Sequence, residues 1–168
     1  MDLALIETGN GGDIVFRNKD LAMVFGFENM PYMALFGGNP NYPTTPLKDS
    51  EQAFDWWGNR LLFPNDESKQ FNSLTEQKLK TVALNSSGRI QIEESVKQDL
   101  KFMSDFANLK VSVSIISDDK VLIELQIVRP DNLQKTTFIY IWDKTLSTIT
   151  IGGSGSGLQE NLQFQLMG

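Results

Sequence analysis

Four acids bracket the tryptophan pair of this 168-residue chain: Glu51 and Asp55 precede Trp56-Trp57, and Asp66 and Glu67 follow it. Two carboxylates are the least machinery that hydrolyses a glycosidic bond, one protonating the leaving oxygen while the other acts as nucleophile or base. An indole face beside them offers a sugar ring a surface to stack on, so the set outlines a carboxylate-dependent glycosidase. The chain carries 21 acids, however, and some must fall beside an aromatic by chance. It has no histidine and no cysteine. Ser-His and Cys-His nucleophile pairs, thiolate chemistry and the commonest zinc ligands are therefore excluded, and any catalysis would rest on carboxylates, Lys or Tyr. Asp118-Asp119 and Asp131 are the candidates for a cation site. Calcium needs about six oxygens from a spaced loop, a spacing missing here, and these acids read as turn formers. The glycines of Gly9 to Asp13 lack the lysine and the following helix of a phosphate loop. No metal and no cofactor is expected, and the chain is read as a non-enzyme.

The tryptophans themselves lie in Phe54-Asp55-Trp56-Trp57-Gly58-Asn59-Arg60-Leu61-Leu62-Phe63, with four large rings and two leucines in ten residues. At about 25 cal/mol per Å² of apolar surface, such a run must face a core or a partner. Trp56 and Trp57 are thus either core residues or interface anchors. Fifteen Lys plus Arg against 21 Asp plus Glu give a net charge of −6, which opposes a phosphate backbone and anionic lipid. Neither nucleic acid nor membrane is an expected partner. No apolar run approaches the ~18 residues of a membrane span. The segment Met1 to Glu7 lacks a basic n-region and meets an acid early, so no export signal is expected there.

The elements that must position these residues change character along the chain. Leu3 to Ile6, Ile14 to Phe16 and Leu21 to Phe25 read as short extended segments joined by turns. Phe27, Met30, Met33, Ala34 and Leu35 fall on one face of a short helix that tolerates Pro31 only in its first turn and stops at Gly37-Gly38. Residues 37–49 hold three of the six prolines and form a long loop, a candidate contact surface that includes Tyr42. Ser73-Leu74-Thr75-Glu76 is a capping box that starts a helix with Leu74, Leu79, Val82 and Ala83 on its apolar stripe. Asn85-Ser86-Ser87-Gly88 ends or breaks it. A second helix carries Ile92, Val96, Leu100 and Met103. From Lys110 the period becomes two: Val111, Val113 and Ile115, a turn at 117–120, then Val121, Ile123, Leu125 and Ile127. A third strand over 137–142 and a fourth over 146–151 complete an antiparallel meander. The expected fold is α+β: short N-terminal extended segments and a helix, two central helices and a C-terminal antiparallel β-meander. Residues 1–151 form one domain, and 152–168 a Gly/Ser linker and tail, native tether or cloning scar, in which Leu162, Phe164 and Leu166 alternate and suit addition to another sheet.

Taken together, this layout resembles the Mu-type baseplate wedge proteins of contractile phage tails, relatives of the small T-even baseplate wedge protein. Over roughly residues 12 to 130 the resemblance is carried by Gly12-Asp13-Ile14-Val15, Asp20-Leu21-Ala22-Met23-Val24, the short helix ending Leu35-Phe36, Asp55-Trp56-Trp57-Gly58-Asn59, the two helices, and the strands at 109–113 and 121–127. The chain departs from the T-even branch where a Glu-Pro-Arg triplet stands, having Met103 to Asn108 instead. The triplet's contacts are therefore not carried over. The resemblance implies a virion structural subunit of the tail baseplate, made in the host cytoplasm and present in multiple copies around a six-fold tail. Its implied partners are other wedge subunits and the tail sheath and tail tube proteins, met in part by strand addition to the sheet. Trp56, Trp57, Tyr42, Phe138, Tyr140, Ile149 and Ile151 are the residues expected to bind them. Relatives in this group have carried a lysozyme label, which is the second reason to weigh the glycosidase.

Overall fold

The computed structural model describes residues 2–7, 12–24, 29–38, 61–66, 69–70, 72–130 and 135–154. Among them are three α-helices and a four-stranded antiparallel sheet in the C-terminal part, an α+β fold. The strands are β7 (Asn108–Ile115), β8 (Lys120–Val128), β9 (Lys135–Asp143) and β10 (Thr148–Ser154), in the order β10-β9-β8-β7. Because side chains alternate across a strand, the register assigns the faces. Val113 lies opposite Ile123, Ile123 opposite Tyr140, and Tyr140 opposite Ile151. That face is the core: Val121, Ile123, Leu125, Ile127, Tyr140 and Trp142 are all buried on it.

The helices cover this face. In α3 (Ser86–Asp99), Ile92 and Val96 continue through Leu100 into Met103 of the following 3-10 turn, and all four are fully buried, as their spacing predicts. Helix α2 (Leu74–Thr81) opens on Ser73, whose Oγ accepts from the Glu76 N–H at 3.2 Å, the bond the capping box predicts. The Ser73 hydroxyl also donates to the Leu35 carbonyl at the end of α1 (Asn29–Phe36). Of the stripe read for α2, Leu79 alone is fully buried; Leu74 and Val82 are half-buried and Ala83 is exposed.

Two local expectations are corrected. Helix α1 buries Pro31, Tyr32, Ala34, Leu35 and Phe36, while Met30 is exposed and Met33 half-buried. The Tyr32 and Phe36 rings, 5.8 Å apart, take the core in place of Met30, while Met33 packs partly against it. Asn85-Ser86-Ser87-Gly88 does not end α2. The chain leaves that helix at Val82, and Asn85 is the N-cap of α3, its Oδ1 accepting from the Gly88 N–H at 2.9 Å. The same polar residues that break one helix nucleate the next.

Gly88 is required there. A Cβ at this position would stand 1.9 Å from the Ala83 carbonyl oxygen and 3.1 Å from its carbon, so backbone rather than a side chain would have to yield. Gly88→Ala is expected to destabilise by about 2 kcal/mol or more, against the usual gain of alanine in a helix. Urea denaturation of the two proteins measures the difference.

The N-terminal strands are short. Strands β1 (Asp2–Leu3) and β6 (Met23–Val24) pair, as do β2 (Leu5–Glu7) with β3 (Gly12–Ile14), and β4 (Phe16–Arg17) with β5 (Asp20–Leu21). Ala4 joins them, donating to the Ala22 carbonyl at 2.8 Å and accepting from the Val15 N–H at 3.1 Å. Asn18 and Lys19 turn the β4–β5 hairpin with φ of 53° and 67°, the left-handed pair of a two-residue hairpin loop. At the other end of the chain, the turn that includes Leu146 is exposed, and β10 begins at Thr148 rather than Leu146. It runs on through Gly152 and Gly153 to Ser154, opposite Thr137, three residues into the segment read as linker. Glycine lacks strand propensity, but the ladder to β9 carries these residues along.

Candidate protein interface

The sheet fixes where four of the expected partner-binding residues stand. Phe138 and Tyr140 are 8% and 1% exposed, turned to the helices, with the Tyr140 ring 5.5 Å from Phe36 in an edge-on contact. They are core residues, which corrects their reading as contact surface. Ile149 and Ile151 lie on the same core-side face and are half-buried against it. Trp56, Trp57 and Tyr42 lie outside the described residues.

What β10 does present is backbone. Across the β7–β8 turn the Ile116 N–H donates to the Lys120 carbonyl at 3.0 Å, which sets the alternation of inward and outward groups. Carried through the registers, it points the N–H and C=O of Ile149, Ile151 and Gly153 away from β9. Among the described residues β10 has no ladder neighbour on that side. Strand β2 approaches it without joining the ladder. The opposite edge, β7, is treated differently, because Arg89 reaches from α3 to the outward Val113 carbonyl at 3.4 Å. Arg89 is itself held by Glu93 at 2.9 Å, and Lys97 donates to the same carboxylate at 2.5 Å. The Lys97 hydrogen bond, with Arg89 beside it, lowers the Glu93 pKa.

Of the four candidate glycosidase acids, Glu51, Asp55 and Glu67 lie outside the described residues. Asp66 pairs with Lys69 at 2.8 Å on the surface. In the β7–β8 turn Asp119 accepts from the Ser117 hydroxyl at 2.6 Å and from Thr145 at 3.4 Å, and the Ser117 bond lowers its pKa. That is the work of a turn former. No group of three or more acids that could hold a metal ion occurs among the described residues, and Asp131 lies outside them. No described helix is long and apolar enough to cross a membrane.

The sequence reading missed a buried polar cluster between α2 and α3. Asp99, the last residue of α3, accepts from the Leu74 N–H (3.1 Å), the Thr75 N–H (2.8 Å) and the Thr75 hydroxyl (2.7 Å). One carboxylate thus caps the start of α2 from the end of α3. Burial outweighs these donors and raises the Asp99 pKa. One turn along, Glu76 pairs with Lys80 at 2.7 Å, and the Lys80 ammonium sits 5.9 Å from the Trp142 ring centre. Lys144 closes the cluster by donating to the Val82 carbonyl at 2.6 Å. These groups serve as helix staples. Asp99 falls outside any local motif, so only its partners 24 and 25 residues back reveal its role.

No protein-family model matches the chain, and comparison with curated proteins and with solved structures gives no match.

Proposed function

We propose that the chain is a non-enzymatic structural subunit of a contractile-tail baseplate wedge, placed in several copies around a six-fold tail. Its neighbours are other wedge subunits and the sheath and tube proteins, and strand addition to β10 is the mode of contact. The observation that carries this reading is the edge of β10, which has no ladder neighbour among the described residues and where the outward groups of Ile149, Ile151 and Gly153 form a template for an incoming strand. The resemblance of the Asp55-Trp56-Trp57-Gly58-Asn59 step and the element order supplies the identity of the machine. The lack of histidine and cysteine supports a role without chemistry. On this reading the protein is made in the host cytoplasm and ends in the virion baseplate.

Immunogold electron microscopy of contractile particles from the producing cells tests the proposal. Gold at the baseplate end is the expected result. Gold absent from intact and disassembled particles alike would overturn it, and peptidoglycan clearance abolished by Glu51 and Asp55 substitutions would favour the glycosidase instead.

A further inference from the structure

The N-terminal strands wear their apolar residues on the outside. Phe16 stands opposite Leu21, while Ile14 pairs with Leu5 and Met23 with Leu3, and alternation along the strands puts Ile14 and Met23 on the same face as Phe16 and Leu21. All four are exposed, Phe16 by 70% and Ile14, Leu21 and Met23 by 41%, 39% and 44%. Ala4, Val15 and Ala22 meet on the other face, with Ala4 only 8% exposed. Strands with one solvated face ordinarily put polar residues there, so this arrangement is the reverse of what a free surface requires. The Asn29 side chain at the start of α1 donates to the Leu3 carbonyl at 2.6 Å, which ties these strands to the helix.

We propose that this face is the docking site of the chain's own C-terminal segment, residues 158–166. The described chain ends at Ser154 on β10, the strand that lies beside β2, and β2 is paired with β3, which contributes Ile14. Fourteen residues follow, 155–168. From Ser154 to Leu162 the backbone reaches up to about 26 Å, enough to cross a few strands at ~4.8 Å spacing. Leu162, Phe164 and Leu166 alternate with Asn161, Gln163 and Gln165, so an extended segment carries one apolar side and one polar side. The apolar side matches Ile14, Phe16, Leu21 and Met23 in kind. Docking shields the face in the free subunit.

The cysteine-free chain gives a clean test. Full-length Phe16→Cys/Phe164→Cys is oxidised at low concentration beside a control, Leu146→Cys/Phe164→Cys, whose Leu146 is 68% exposed in the β9–β10 turn. An intramolecular disulfide forming at least about tenfold faster in the first protein is expected, since a docked segment raises the local concentration. Rates equal to the control, or a disulfide only between two chains, would overturn the proposal, the latter assigning the face to a second copy. A second readout uses full-length Leu162→Asp/Phe164→Asp, which should bind several times more of an apolar fluorescent dye with unchanged melting. Dye binding equal to wild type would also overturn it. Neither result bears on whether gold labels the baseplate.

Discussion

Replacing Tyr140 by alanine is expected to lower stability by about 4 kcal/mol, seen as a fall in melting temperature of roughly 10 °C for a chain of this size. The ring is 1% exposed and touches elements far apart in sequence. It meets Phe36 of α1 edge-on at 5.5 Å, and its neighbours across the sheet are Ile123 and Ile151. Truncation removes a large apolar surface and leaves a cavity walled by β8, β9, β10 and α1. Tyr140→Phe keeps the ring and should retain most of the stability. Burial also raises the phenol pKa above its ordinary value of 10.0, so Tyr140 should resist ionisation in an alkaline absorbance titration of the folded protein. Unchanged melting of Tyr140→Ala, with loss of assembly alone, would return the residue to the contact surface.

Asp99→Ala is expected to cost about 3 kcal/mol in chemical denaturation, because three donors at the start of α2 lose their acceptor together. Asn keeps one acceptor and should recover part of that loss. The pH dependence distinguishes charge from hydrogen bonding. Burial raises the folded pKa of Asp99 above its ordinary value of 3.8, so the unfolded chain releases this proton more readily than the folded one. Its contribution is then fully present below that ordinary value and is lost as pH rises through the higher folded value. The stability advantage of wild type over Asp99→Asn should therefore be larger near pH 3.5 than near pH 6. An advantage that grows with pH instead would mean that the helix N-terminus outweighs burial at this carboxylate.

Local chemistry was legible wherever it repeats. The four-residue spacing of Ile92, Val96 and Leu100 placed α3, and the strict alternation from Val121 to Ile127 placed β8 and its inner face. Ser73 and Glu76 announced the start of α2. Ambiguity appeared where one residue type serves two ends of a helix: Asn85 fits the stop of α2 as well as the cap of α3, and only the Gly88 N–H decides between them. Leu146 and the Gly152-Gly153 pair misled for a related reason. Strand ends follow the partner's register, and β9 extends the ladder to Ser154 whatever the propensity of glycine.

Phe138 and Tyr140 show the same division within one strand. Their alternation with Ile139 and Ile141 predicts two faces, but both faces are apolar enough to be the inner one. The choice rests on where α1, α2 and α3 pack, which no period within β9 contains. Asp99 and the exposed face of Ile14, Phe16, Leu21 and Met23 have the same origin. By itself the sequence determined the α+β order of elements, the meander, the caps and the chemistries ruled out by missing histidine and cysteine, because each depends on residues near one another or on composition. Only the tertiary structure decided which helices cover the inner face of the sheet, which edge has no ladder neighbour among the described residues and which carboxylate staples two helices, because those depend on contacts across dozens of residues.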